Sequence, residues 1–313
     1  MKIDYPPLVV IVGPTGSGKS DLVAKLVKTT GGTIISADSM QVYRYMDIGT
    51  AKPPLEERKN LDYHLMDVVD PDEEFSAAAF LPLAQQVIES RKNTDEPVYV
   101  VGGTGLYVRI LLGGIIDGPG PDKELRAGYK AIAVQEGQKK LYELLQGRDP
   151  EAARQINSHD MVRIIRALEV LDLTGVSIVK KQKDHGFQEK PYPYLKIGIK
   201  ADRDILQERI NRRVDTMMAM GLVDEVNNLL GRGYSAALKS MQSLGYRHMV
   251  RYLNNDWMRE EAVSTMKRDT WYYAKRQMTW FKKDHEIQWY DAYHSEEITY
   301  SINSWMEKSR GKG

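Results

Sequence analysis

Leu8-Val9-Val10-Ile11-Val12 is an unbroken apolar run rich in β-branched residues, the pattern of a strand buried on both faces in a parallel sheet. Leu22, Val23, Leu26 and Val27 follow at helical spacing, and Gly31-Gly32 stops that helix. Two further buried strands are expected. One is Thr33-Ile34-Ile35-Ser36-Ala37-Asp38; the other, Val98-Tyr99-Val100-Val101, runs into Gly102-Gly103-Thr104-Gly105. Gly113-Gly114 and Gly118-Pro119-Gly120-Pro121 then punctuate the chain, and from Asp122 to about Gly175 the period turns helical. Leu141, Leu144 and Leu145 share one helix face there, and Val162, Ile165, Ala167, Leu168 and Leu171 another. A Lys-rich stretch and Pro191 and Pro193 precede a new strand, Leu195-Lys196-Ile197-Gly198-Ile199. The pattern predicts an α/β fold, a three-layer core around a parallel sheet with a mainly helical insertion. Residues 1–117 and 197–313 are assigned to the core, with a helical C-terminal part, and residues 118–196 to the insertion.

Composition narrows the function classes. The 313 residues carry 44 Lys and Arg against 43 Asp and Glu, so indiscriminate electrostatic coating of nucleic acid or membrane is not expected. The balance is uneven along the chain: residues 1–117 hold 11 basic and 16 acidic side chains, and the excess positive charge lies beyond them. Zero Cys excludes disulfides, thiolate zinc sites and a Cys nucleophile. His64 and His285 have no partner at metal-ligand spacing. No apolar run is long enough to span a membrane, so a cytoplasmic enzyme without a membrane partner is expected; a monomer is expected as well.

The first strand runs directly into Gly13-Pro14-Thr15-Gly16-Ser17-Gly18-Lys19-Ser20, a full match to the phosphate-binding loop G-x-x-x-x-G-K-[ST]. Its glycines let backbone N–H groups face a phosphate, the following helix contributes its positive end, and Lys19 adds a full charge. Ser20 is placed to hold Mg²⁺ through its hydroxyl. The loop implies a di- or triphosphate but not a nucleotide. Phosphoryl-transfer enzymes commonly place a carboxylate at the end of another core strand, and the strand ending at Val101 has none. Asp38 does end a strand, facing the ligand crevice of an open α/β sheet, and is a candidate general base.

Asp38-Ser39-Met40-Gln41-Val42-Tyr43-Arg44 and Met46-Asp47-Ile48-Gly49-Thr50-Ala51-Lys52-Pro53 resemble the tRNA dimethylallyltransferase family. So do Val101-Gly102-Gly103-Thr104-Gly105-Leu106-Tyr107, Arg163-Ile164-Ile165-Arg166-Ala167-Leu168-Glu169, Leu244-Gly245-Tyr246-Arg247 and Ala274-Lys275-Arg276-Gln277-Met278-Thr279-Trp280. The likeness runs nearly the whole chain and, with no Cys, resembles the shorter bacterial form. It implies transfer of a dimethylallyl group from dimethylallyl pyrophosphate to the exocyclic N6 of the adenosine 3′ of the anticodon in a tRNA anticodon stem-loop. The loop, residues 13–20, would then cradle pyrophosphate rather than the tail of ATP, with Lys19 and Thr15 assisting its departure and Arg213 reaching it. Asp38 takes the role of base. Asp38, Ser39, Met40, Gln41 and Thr104 are implied to contact the extruded nucleotide, and Arg163 and Arg166 the tRNA, although Val162 stands where the family has glutamine. Arg247, Lys275 and Arg276, interleaved with aromatics, suit RNA backbone contacts. An adenylate isopentenyltransferase, a small-molecule kinase and an ATP-gated RNA-binding protein are the alternatives the loop alone leaves open.

Overall fold

Every residue of Leu8–Val12 (β1) is buried, as its unbroken apolar sequence requires of a strand covered on both sides. The computed structural model describes residues 5–310. After β1 come α1 (Lys19–Thr30), β2 (Thr33–Ser36), α2 (Leu55–Asn60), β3 (Tyr63–His64), α3 (Ala77–Ser90), β4 (Val98–Gly102) and α4 (Gly105–Gly113). Five helices follow: α5 (Lys123–Gln135), α6 (Gln138–Arg148), α7 (Pro150–Gln155), α8 (Met161–Thr174) and α9 (Ile178–His185). The chain then forms β5 (Tyr194–Lys200), α10 (Arg203–Ala219), α11 (Leu222–Gly231), α12 (Tyr246–Leu253), α13 (Arg259–Phe281), β6 (Gln288–Asp291) and α14 (Ser295–Arg310).

The strands make one parallel sheet in the order β3-β2-β4-β1-β5-β6. Val9, Ile11, Tyr99, Val101, Leu195 and Ile197 present one face to Leu22, Val23, Leu26 and Val27 of α1 and to Ile298, Ile302 and Met306 of α14. Leu8, Val10, Val98 and Val100, of opposite parity, are buried as well. The loop after β1 therefore opens at the carboxyl edge of the sheet's interior, where open α/β sheets bind ligands. No helix among the described residues is long and apolar enough to cross a membrane.

The chain divides into two compact units, residues 112–190 and the remainder. This differs from the boundaries read from sequence at 117/118 and 196/197. Leu195 and Lys196 belong to β5, where they register against Val9 and Val10 of β1, and Leu195 is buried in the core. Both lie in the strand the sequence predicts over residues 195–199, so the division falls before that strand rather than inside it. Within the helical unit Leu141, Leu145, Ile164, Ile165, Ala167 and Leu168 form its core. Val162, expected on that apolar face, is instead 78% exposed, because Ile164 and Ile165 turn the buried stripe away from it.

Candidate functional site

Three glycines shape the loop after β1. Gly13 has φ 151°, and a Cβ there would lie 2.4 Å from the Ile199 carbonyl oxygen; Gly16 and Gly18 are left-handed at φ 80° and 91°. The Ser17 N–H donates to the Pro14 carbonyl at 3.2 Å, and Gly18 precedes the first turn of α1. Lys19 is buried, its Nζ curled back to donate to the Pro14 carbonyl at 2.8 Å and reaching Ser17 Oγ at 3.5 Å. Burial first, and the charge of Arg213 second, pull Lys19 down to about 7, while Asp38 acts in the opposite direction.

Arg213 reaches the loop from α10, donating through Nη1 to Thr15 Oγ1 at 3.1 Å. Burial lowers its pKa against the attraction of Asp21 and Asp38. One turn earlier, Arg209 lies over the Tyr293 ring, 5.0 Å from its centroid, and its Nη1 donates to the Ser17 carbonyl at 3.3 Å. Arg212 points away into an exposed pair with Glu208. Of the three arginines in this stretch, Arg213 lines the cavity, Arg209 braces the loop, and Arg212 does neither.

The cavity, about 380 Å³, is lined by Thr15, Lys19, Ser20 and Arg213 and also by Asp38, Ser39, Met40 and Gln41. Asp38 is partly exposed, and its Oδ1 accepts the Met40 N–H at 2.8 Å. Thr104 lies beside that segment, its Oγ1 accepting the Ser39 N–H at 3.0 Å. Gln41 is turned inward: its Oε1 accepts from Ser36 Oγ at 2.8 Å, and its Nε2 approaches the Thr50 and Ala51 carbonyls at 3.4 Å. Tyr273 also lines the cavity; burial, then the Asp38 charge, raise its phenol, which therefore stays protonated.

The Gly102-Gly103-Thr104-Gly105 stretch is explained by close approach. A Cβ at Gly102 would lie 2.1 Å from the Ala37 carbonyl oxygen, one at Gly103 2.0 Å from Gln277 Nε2, and one at Gly105 2.0 Å from Trp280 Nε1. Gln277 is buried on α13 and joins the phosphate loop to the end of β4: Oε1 accepts the Thr15 N–H and Nε2 donates to the Gly103 carbonyl. The motif around Gln277 does not by itself disclose this role.

Arg247 lines the same cavity and pairs with Asp269, which also accepts from buried His248. The Gly245 N–H donates to His248 Nδ1 at 3.2 Å, which leaves the proton on Nε2 for Asp269. Arg276 lines the cavity; Lys275 is exposed, beside Tyr272, and outside the lining. In the helical unit, Arg163 is largely exposed and pairs with Asp160 at 3.3 Å. Arg166 is engaged internally, donating to buried Glu169 and, at 2.9 Å, to the Pro119 carbonyl. Among the described residues no group of three or more His, Asp or Glu side chains is arranged to hold a metal, and the Ser20 side chain lines the cavity.

A glycine loop joining β1 to α1, with buried Lys19 and partly buried Arg213 near the strand-end Asp38, is the arrangement of a P-loop α/β protein. Residues 41–284 match a family model described as IPP transferase. The chain is 50% identical over 296 residues to a tRNA dimethylallyltransferase of Syntrophus aciditrophicus, covering 95% of each, and 47% identical over 282 residues to one of Geobacter metallireducens, covering 90% of this chain and 91% of that one. The crystal structure of a tRNA isopentenylpyrophosphate transferase of Bacillus halodurans superposes with TM-score 0.70 at 39% identity over 98% of both chains. A eukaryotic dimethylallyltransferase described as acting on tRNA superposes with TM-score 0.75 at 28% identity, over 92% of this chain and 74% of that one. The chain belongs to the tRNA dimethylallyltransferase (IPP transferase) family.

Proposed function

We propose that this chain transfers a dimethylallyl group from dimethylallyl pyrophosphate to the exocyclic N6 of the adenosine 3′ of the anticodon in tRNA. One observation carries the reading: the phosphate loop and the Asp38–Gln41 segment line one cavity, so a pyrophosphate and an acceptor base have adjoining surfaces to occupy. The C1–O bond of the donor breaks with its electron pair leaving on pyrophosphate, the N6–C1 bond forms, and the N6 proton passes to an Asp38 carboxylate oxygen. Lys19, Arg213 and the amides at residues 16–20 oppose the charge that grows on the leaving group. The Ser20 hydroxyl would hold Mg²⁺, which when bound would neutralise charge developing on the leaving group.

The target base must leave its stack to enter the cavity; Ser39 and Met40 are assigned to its wall, and Thr104, bonded to the Ser39 N–H, to the support of that wall. Arg247 and Arg276 at the cavity, with Lys275 and Arg163 on exposed faces, are assigned to the RNA backbone. Arg166 is assigned to supporting its helix rather than to RNA, because Nη1 is bonded to Glu169 and Nη2 to the Pro119 carbonyl.

The test is pyrophosphate release from dimethylallyl pyrophosphate and Mg²⁺, with and without an adenosine-bearing anticodon stem-loop. Release only with the stem-loop is expected. Release with AMP but not RNA would make the chain an adenylate transferase, and turnover of ATP alone would overturn the reading.

A further inference from the structure

Glu225 lies on α11, away from the phosphate loop, yet its carboxylate is the most heavily solicited acceptor around the 38–53 segment. Oε2 accepts the backbone N–H groups of Asp47 at 2.9 Å and Ile48 at 2.7 Å. Oε1 accepts the Gly49 N–H at 3.1 Å and the Tyr246 hydroxyl at 2.6 Å. Three consecutive amides converging on one anion form a backbone nest, here filled by the protein's own side chain. Burial and the Glu225 charge raise the Tyr246 phenol well above its usual range, so it remains a donor. The Tyr246 ring fills the space a Cβ would need at Gly49, 2.4 Å away, so the turn fits only as glycine.

The held turn does not end at the nest. Ala51 N–H donates to the Ile48 carbonyl and Lys52 N–H to the Asp47 carbonyl, each at 3.0 Å, folding residues 47–52 into one unit. Its Thr50 and Ala51 carbonyls face Gln41 Nε2, and Gln41 Oε1 in turn receives the Ser36 hydroxyl. Asp38 lies between Ser36 and Gln41. Gly49, Thr50 and Ala51 line the cavity beside Asp38, Ser39 and Met40. A continuous set of hydrogen bonds thus joins α11 and α12 to the wall that carries the candidate base. The phosphate loop is held separately, by Gln277, Arg209 and Arg213.

We infer that Glu225 is a positioning residue: its carboxylate latches the 47–52 turn and, through Gln41, fixes where Asp38 meets the acceptor base, without setting donor binding. The inference rests on the proposed transfer reaction for its kinetic half only. Glu225→Gln keeps the shape but turns one oxygen into a donor facing two of the four existing donors, so the nest loses half of its acceptors.

The test pairs hydrogen exchange on the free full-length chain with steady-state kinetics on an anticodon stem-loop. In Glu225→Gln, exchange is expected to accelerate about tenfold or more over both 46–52 and 38–43, with residues 15–20 unchanged. Turnover should fall ~10²-fold, as displacement of a reacting group by about an ångström produces. KM for dimethylallyl pyrophosphate should stay within about twofold of the parent, the mark of a lost interaction that does not bind donor. Acceleration confined to 46–52, unchanged turnover in the folded variant, or a donor KM rising in step with the loss of turnover overturns the inference. Should Glu225→Gln fail to fold, Tyr246→Phe removes one donor and no packing volume. It should shift exchange in the same two segments by a smaller factor, and no shift overturns the latch. If the parent chain releases no pyrophosphate with the stem-loop, the transfer reading falls, and the exchange pattern alone decides the latch.

Discussion

The side-chain oxygen of Gln277 accepts the Thr15 N–H at 2.8 Å across 262 residues of sequence, while the same amide's nitrogen donates to the Gly103 carbonyl at 3.0 Å. One planar group is matched at both ends, to a donor on the phosphate loop and an acceptor at the end of β4. Gln277→Glu keeps the first bond and sets a carboxylate oxygen against the Gly103 carbonyl. It should destabilise the fold by ~1–3 kcal/mol, the cost of an unmatched buried polar group, and more than Gln277→Ala does. Thermal unfolding measures this, and calorimetric titration with pyrophosphate should show weaker binding in both variants. A Gln277→Glu chain as stable as the parent would contradict the bridge.

Asp38→Asn separates shape from chemistry. The remaining carbonyl oxygen can still accept the Met40 N–H, so the segment should hold its conformation. Proton acceptance is lost, and turnover should drop ~10²–10⁴-fold, the usual contribution of a general base. Donor affinity, measured by equilibrium binding, should change little, because Lys19 and Arg213 remain. Turnover near the parent value would remove Asp38 from the role of base.

These two residues also mark what could be read before the structure was known. The phosphate loop was legible because its chemistry is local: glycines, lysine and serine act within eight consecutive positions. Asp38 was legible for the same reason, as a carboxylate at a strand end. Gln277 and Glu225 were not, because each acts on a backbone segment more than a hundred residues away, and nothing in a single chain reports such pairing. The end of β4 shows the boundary between the two cases. Its glycines announced a close approach, but only packing against α13 reveals that Gln277 and Trp280 are what approaches.

Lys19 gives the site a pH signature. In the free chain it is held near 7 by burial and Arg213, so it is mostly charged below that pH and mostly neutral above it. A bound pyrophosphate favours the charged form, so binding at pH ~8 must take up close to one proton through Lys19, and at pH ~6 almost none. Calorimetry in two buffers of different ionisation enthalpy measures the uptake. Lys19→Arg, which keeps its charge throughout this range, serves as the reference that subtracts the ligand's own ionisation. Equal uptake by the parent and Lys19→Arg at pH ~8 would show that Lys19 is already charged in the free chain.

Arg163 and Arg166 stand three residues apart on α8 and should fail in different assays. Arg166 supports Glu169, whose carboxylate is wholly buried and also receives Arg126 and the Asp122 N–H. These partners hold Glu169 down to about 2 against the effect of its burial, so it stays ionised and needs them at neutral pH. Arg166→Ala leaves that charge under-compensated and should cost ~1–3 kcal/mol, lowering the unfolding temperature. Acidification should narrow the gap between parent and variant, because the carboxylate's contribution is lost as pH falls from its ordinary value near 4.5 through about 2. Arg163, exposed and paired only with a neighbouring aspartate at 3.3 Å, should leave stability within about 0.5 kcal/mol when changed to alanine. Its loss should instead weaken stem-loop binding and reduce the slope of log K against log salt by about one, as removal of one phosphate contact does. Unfolding curves and a salt series on both variants test the division. Arg163→Ala with unaltered RNA affinity, or Arg166→Ala with unaltered stability, would reassign that arginine.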